Sequence, residues 1–334
     1  MLTEERLKIY RNLESKVGNT PLYEIKNILI PNNNRIFAKE EWRNPTGSIF
    51  DRIYPHLFKI AEEEGKIMPG VTPVIETSTG NAGASFAWCA RELGYEDCTV
   101  IIHEDAPKVR IKQVENYGAK IIFSPRGQYT KGCVQKLEEI LKEDKKIKGG
   151  KIGENPKRLY CVTKIHPRAR EVYKRFVEEV INEVSHIDYF IGVVGSGTSI
   201  SGIGKYLKIH NPLVKVIAVD PAESPSTYYL KYEGRVVDYD QMPHNVFGGA
   251  TFGLPLEKLN LDLEIIDEVQ LVTKEEREEA YKLLSEFEQK KVGRTSCCVF
   301  AVAYRIAKEI KNKNILICFY DPHWKYDDNN LDIK

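Results

Sequence analysis

The chain has 334 residues, 42% of them hydrophobic, enough for about two domains of roughly 150 residues with real cores. Its charged residues, 29% of the total, balance to a net charge of +1, so nothing in the charge favours nucleic acid or an anionic membrane as a partner. No apolar run approaches the roughly 20 residues of a membrane span, and the opening residues are charged rather than an apolar signal core. The expectation is a cytoplasmic protein. The seven cysteines are odd in number and show no C-x-x-C spacing, which suits buried free thiols in a reducing compartment. The histidines are scattered without metal-ligand spacing, so no metal site is expected.

Residues 3–16 have the spacing of a surface helix, with Leu7, Tyr10 and Leu13 on one face. A turn at 17–22 leads into a strand at 22–28, and Arg35-Ile36-Phe37-Ala38 reads as a second strand. Asn44-Pro45-Thr46-Gly47 is turn chemistry, and Ser48 or Asp51 can cap the helix predicted at 52–64. Strands at 73–76, 98–103 and 120–124 then alternate with helices at 81–93, 108–117 and 132–143, the second of these ended by Gly118. This alternation predicts an α/β fold with doubly wound, mostly parallel sheets. Residues 142–158 are Lys- and Gly-rich and nearly free of apolar side chains, and read as a mobile, solvated connection between domains.

The second half repeats the pattern. A helix is predicted at 167–183, a strand at 189–194, a helix reaching 208, and a strand at 214–219. Residues 224–252 are irregular. A strand at 268–272, helices at 274–289 and 296–311, a strand at 314–320 and a polar, fraying tail from 327 complete the chain.

Two turns directly follow strands, at the carboxyl end of a sheet where such folds bind ligands. In Glu76-Thr77-Ser78-Thr79-Gly80-Asn81-Ala82-Gly83, small residues, hydroxyls and the N–H groups of a helix start can hold a carboxylate. The plainer alternative is a Ser/Thr/Gly helix cap. In Gly195-Ser196-Gly197-Thr198-Ser199, consecutive N–H groups and the helix dipole make an anion cradle. It lacks the P-loop lysine and the Gly-x-Gly-x-x-Gly spacing, which weakens nucleotide readings. The glycines of both turns cost stability and have no packing need visible in the sequence, which favours a ligand over a bare scaffold.

The stretch Asn44-Pro45-Thr46-Gly47-Ser48-Ile49-Phe50-Asp51-Arg52 resembles the lysine motif of the fold-type-II pyridoxal-phosphate enzymes, the family of cysteine synthase, cystathionine β-synthase and the tryptophan synthase β-subunit. Gly18-Asn19-Thr20-Pro21-Leu22 resembles the segment that opens those enzymes. The resemblance runs over roughly residues 15 to 325, with the motifs in the family's order. It implies two α/β domains with a cleft between them: a smaller one, 45–150, and a larger one, 1–44 plus 151–334. It implies that Ser78, Thr79, Gly80 and Ala82 bind a substrate carboxylate and that Asn81 meets the cofactor's ring hydroxyl. Gly195, Ser196, Gly197, Thr198 and Ser199 would hold the cofactor phosphate, and Thr295, with Ser296 next best, its pyridine nitrogen. A homodimer is also implied.

The departures matter as much. The family's Schiff-base lysine is replaced by Phe50, which has no donor, acceptor or titratable group. Lys39, on the preceding strand, and Lys59, more than two turns along the helix, are not expected to substitute. The segment 160–167 lacks the family's glutamine, and Arg294, Cys297 and Cys298 replace small residues. The reading is a cysteine-synthase-like protein that binds an amino-acid-like ligand, and pyridoxal phosphate non-covalently, without the usual β-replacement. Alternatives are an enzyme of sulfur amino-acid metabolism, a lyase or transferase with lysine-independent chemistry and a base such as His244, or an engineered lysine variant.

Overall fold

The computed structural model describes residues 2–237, 246–249, 254 and 256–326. In chain order the first half forms α1 (Glu4–Ser15), β1 (Leu22–Glu24), β2 (Arg35–Lys39), α2 (Ile53–Glu63), β3 (Val74–Ser78), α3 (Asn81–Glu92), β4 (Cys98–His103), α4 (Lys108–Asn116), β5 (Lys120–Ser124), α5 (Tyr129–Lys148) and β6 (Tyr160–Cys161). The second half forms α6 (Tyr173–Glu183), β7 (Tyr189–Val193), α7 (Thr198–His210), β8 (Lys215–Pro221), α8 (Ser226–Glu233), β9 (Glu268–Val272), α9 (Lys274–Glu286), α10 (Arg294–Ala307) and β10 (Asn314–Cys318). The expected strand–helix alternation is present, and the fold is α/β with two mostly parallel sheets.

The chain packs as two compact units. The first comprises residues 1–18, 44–169 and 325–334, and its sheet runs β5-β4-β3-β6 with every pair parallel. Helix α3 is buried from Ala82 to Ala90, as its run of Ala, Gly, Phe and Cys dictates. Phe86 stacks on Phe58 and meets Tyr54 edge-on. Thr3 caps α1 by accepting from the Arg6 N–H, and Arg6 bonds Glu62, which fixes α1 to α2.

The second unit comprises residues 19–43 and 170–324. Its sheet runs β1-β2-β10-β7-β8-β9, with β1 antiparallel at one edge and the other pairs parallel. Strands β2, β7, β8 and β10 are buried along almost their whole length, which is why they read as continuous Ile/Val/Phe runs. Thr273 and Glu276 form a reciprocal capping box at the start of α9.

The structure differs from expectation at residues 142–158. Helix α5 continues to Lys148, and the segment after it folds back within the first unit. A buried ion pair holds it: Arg158 Nε lies 2.8 Å from Asp144 Oδ2, which also accepts from the Leu159 N–H, and Arg158 Nη1 donates to the Gly150 carbonyl. Composition concealed this because the two charges that organise the segment are those that made it look solvated. Residues 151–169 thus group with the first unit, where β6 pairs with β3, as do residues 1–18. The irregular stretch 224–252 contains α8, and the helix expected from 167 begins as a 3-10 turn, Pro167–Val172. Among the described residues no helix is long and apolar enough to cross a membrane. All seven cysteines are free, and all but Cys161 are buried.

Candidate functional site

In the first unit, the turn 44–52 is braced from inside. The Asp51 carboxylate is fully buried and accepts from the Thr46 N–H at 2.7 Å and the Thr46 hydroxyl at 2.6 Å, and the same hydroxyl lies 3.0 Å from Ser85 Oγ. Burial pushes the Asp51 carboxyl above its usual range, against bonds from Ser85 and Thr46 and the positive charge of Lys325. Ser48 caps the 3-10 turn Ile49–Arg52 by accepting from the Phe50 N–H. Phe50 is half-buried.

The loop expected to hold a carboxylate leaves β3 at Ser78 and enters α3 at Asn81. Ser78 Oγ accepts from the Gly80 N–H at 2.8 Å and the Gly83 N–H at 2.7 Å, so its lone pairs shape the loop itself. Gly80 has φ 129°, and a methyl group on it would lie 2.5 Å from Arg110 Cδ. Ser78, Thr79, Gly80, Asn81 and Ala82 therefore come together at one helix start. Thr79 and Asn81 are half-buried and Ala82 is buried.

Two lysines not foreseen as functional converge on these turns. Lys325, in the 3-10 turn His323–Tyr326, is 0% exposed. Its Nζ donates to the Thr46 carbonyl at 2.7 Å and to Asn81 Oδ1 at 3.0 Å. Gln113 donates to the same Thr46 carbonyl. Arg110, itself buried, donates to the Lys325 carbonyl at 3.0 Å and stacks over the Tyr326 ring at 4.4 Å. Lys164, from the segment lacking the expected glutamine, donates to the Thr77 carbonyl at 2.6 Å and lies 3.6 Å from Glu76. Nothing in local sequence marks either lysine, because each acts through partners far away in the chain.

In the second unit, Gly195, Ser196 and Gly197 link β7 to α7, and Thr198 and Ser199 are the first residues of that helix. Gly197 adopts φ 84°, and a methyl group on it would lie 2.5–2.8 Å from the Cβ, Cα and N of Leu261. A methyl group on Gly195 would lie 2.7 Å from the Gly248 carbonyl oxygen. These glycines do have a packing need, contrary to expectation, so their presence alone does not argue for a ligand. Ser196 Oγ donates to Thr198 Oγ1. Thr295, second residue of α10, is buried, and a methyl group on Gly248 would lie 3.0 Å from its Oγ1. Gly248 thus contacts both the glycine loop and Thr295. Ser296 Oγ accepts from the Tyr320 N–H.

The remaining candidates fall away or lie elsewhere. Burial pushes the Cys297 thiol well up and the Cys298 thiol to about 12, so neither is a ready base. Lys39 is buried against Glu179 at 3.0 Å, and Lys59 lies 3.4 Å from Glu14. His244 lies outside the described residues, as do residues 250–253. In the second unit the residues present fit a phosphate-bearing cofactor in their chemistry: a hydroxyl-bearing helix start after a glycine turn, and a buried hydroxyl at Thr295.

A family description, pyridoxal-phosphate dependent enzyme, matches residues 13–321. Cysteine synthase A of Escherichia coli is 30% identical over 318 residues, covering 93% of this chain and 91% of that protein. Cysteine synthase of Staphylococcus aureus is 31% identical over 216 residues, 64% of this chain and 66% of the relative's length. Among solved structures, a hydrogen sulfide-producing enzyme of Fusobacterium nucleatum superposes with TM-score 0.81 at 27% identity, covering 94% of this chain and 99% of that one. An O-acetylserine dependent cystathionine β-synthase of Helicobacter pylori gives TM-score 0.80 at 24% identity, a likeness of fold. From the alternating sheets to the glycine loop and the matched span, the chain belongs to the fold-type-II pyridoxal-phosphate dependent enzymes, among the relatives of cysteine synthase.

Proposed function

We propose that this protein binds pyridoxal phosphate and an amino-acid-like ligand, and that it does not run the family's β-replacement through residue 50. The observation that carries the reading is the conjunction of Phe50 in an otherwise kept turn with a kept glycine loop. Gly195 to Ser199 would hold the phosphate with main-chain N–H groups and the hydroxyls of Ser196, Thr198 and Ser199. Thr295 would meet the pyridine nitrogen as a neutral hydroxyl, which neither requires nor enforces ring protonation. Asn81 would orient the ring hydroxyl. Thr79 and the N–H groups at the start of α3 would take the ligand's carboxylate, with the helix dipole favouring the negative charge. Ser78 holds the loop in shape, as its two N–H partners indicate. When bound, the cofactor would supply an electron sink for cleavage at the amino acid's α- or β-carbon. A phenyl ring at position 50 moves no proton.

Binding is non-covalent in this reading, because residue 50 offers no amine. We further propose the family's homodimer, to be checked by sedimentation. The test of function is equilibrium dialysis of the full chain with pyridoxal phosphate, alone and with serine or cysteine. Retention of the cofactor by the wild type and roughly 10-fold weaker retention by Ser199→Ala support the reading. Equal retention by both, or none by the wild type, rejects it.

A further inference from the structure

Asn81 opens α3 in the first unit, and its amide has an acceptor edge and a donor edge. Its neighbour decides which edge a ligand meets. That neighbour is Lys325, whose Nζ lies 3.0 Å from Asn81 Oδ1. An ammonium only donates, so the amide oxygen must face it and the amide N–H groups are turned away from it. The arrangement is held firmly. Lys325 is 0% exposed, and its Nζ also donates to the Thr46 carbonyl at 2.7 Å. Buried Arg110 bonds the Lys325 carbonyl, reaches the Thr79 carbonyl at 3.5 Å and stacks over Tyr326. All of these residues belong to the first unit. Turning the amide over would set its N–H groups against a buried ammonium and take away one of that ammonium's acceptors. Lys325 also lies beyond residue 321, where the family match ends, so the matched pattern does not supply it.

A fixed donor matters at this place. Two of the loop's main-chain N–H groups, those of Gly80 and Gly83, are spent on Ser78 Oγ. A side-chain donor at Asn81 adds to what the helix start offers, and the helix dipole favours the same sign of ligand charge. We infer that Lys325 is a positioning residue: it holds Asn81 as a hydrogen-bond donor, so that the start of α3 takes a carboxylate and discriminates against a neutral carboxamide of the same shape. This deepens the reading that the 78–82 loop takes the ligand's carboxylate, and rests on it. No other part of the chain is needed for it.

The test is the unfolding temperature of the full chain in titrations with L-serine and with L-serinamide, in which a neutral amide replaces the carboxylate. The wild type is expected to bind L-serine at least about 10-fold more tightly than L-serinamide. Lys325→Met frees the amide to turn, but it also removes the charge that acts on buried Asp51, so it is combined with Asp51→Asn. The double variant is expected to recover stability relative to Lys325→Met and still to bind L-serine roughly 10-fold more weakly than the wild type. A purely structural lysine would have its binding defect repaired together with stability. Asn81→Asp keeps an oxygen for Lys325 and has no N–H group, and it is expected to lose L-serine binding as well; it decides alone if the double variant does not fold. Wild-type affinity for L-serine in either folded variant overturns the assignment and leaves the carboxylate reading standing. Equal binding of both probes by the wild type overturns the carboxylate preference and the assignment. No binding of L-serine by the wild type overturns the reading of the loop and this assignment with it.

Discussion

Lys325 Nζ and Asn81 Oδ1 lie 3.0 Å apart, although 244 positions separate the residues in sequence. The contact ties the end of the described chain to the start of α3. It places a buried amine at the asparagine proposed to meet the cofactor. Phe50→Lys is expected to give a borohydride-reducible adduct with pyridoxal phosphate that maps to position 50. Peptide mapping after reduction checks this, and the absence of any adduct counts against the proposed cofactor site.

The Lys325 charge also stabilises the fold. It offsets the burial of Asp51, whose carboxyl accepts from the Thr46 N–H and hydroxyl. Lys325→Met is expected to cost about 2–4 kcal/mol in urea denaturation, since removing a buried charge's partner leaves it uncompensated. Asp51→Asn in that background should recover part of the loss.

The glycine loop separates packing from binding. Gly197→Ala would force a side chain into the left-handed region and against Leu261 backbone atoms. It is expected to destabilise by about 2–4 kcal/mol with or without cofactor. Ser199→Ala, on a half-buried hydroxyl, should leave stability within about 0.5 kcal/mol and weaken cofactor retention. Thermal unfolding of both variants with and without pyridoxal phosphate distinguishes the two effects.

Two buried groups give opposite pH signatures. Burial lowers His103 from 6.5 to about 4, with Asp105 opposing and Arg110 adding to the effect. The unfolded chain therefore takes up this proton first as pH falls from 6.5, and stability drops down to about 4, by roughly 3 kcal/mol from this group. Burial raises Asp220 from 3.8 to about 6, against bonds from the Thr227 and Tyr228 N–H groups. Here the folded state holds the proton, so stability is lost as pH rises from 3.8 to about 6, again by roughly 3 kcal/mol. Relative to wild type, Asp220→Asn should gain stability on that rise, and His103→Leu should gain it as pH falls through its window. Denaturation midpoints at several pH values check both signs.

The Asp144–Arg158 pair predicts order where composition suggested mobility. Burial raises the Asp144 carboxyl, but bonds from Lys148, Arg158 and the Leu159 N–H outweigh it and hold the group below its usual range. Arg158→Ala is expected to cost about 2–4 kcal/mol. Hydrogen exchange over residues 142–158 should be protected in the wild type and faster in the variant.

Much of this was legible in the sequence. Strand 98–103 matches its predicted ends because a buried β-branched run bounded by turns leaves little freedom, and 120–124, although partly exposed, is bounded by Gly118 and Pro125. The helix start at Asn81 was visible because glycine and hydroxyl residues punctuate the end of a strand, whereas the helix expected from Ile200 begins two residues earlier, at Thr198. What stayed hidden was long-range pairing. Lys325 looks like any lysine in a polar C-terminal stretch until Arg110 and Tyr326 fix it, and Arg158 looks solvated until Asp144 is placed beside it. The glycines misled in the other direction. Their need was set by Gly248 and Leu261, residues no local reading connects to the loop.

The central claim is that this chain holds pyridoxal phosphate through the glycine loop and without residue 50. Diffraction from crystals grown with the cofactor tests it most directly. The account predicts phosphate density against the main-chain N–H groups of residues 195–199 and no covalent bond to Phe50. Phosphate density at any other place, or none at that loop with cofactor in excess, would contradict it.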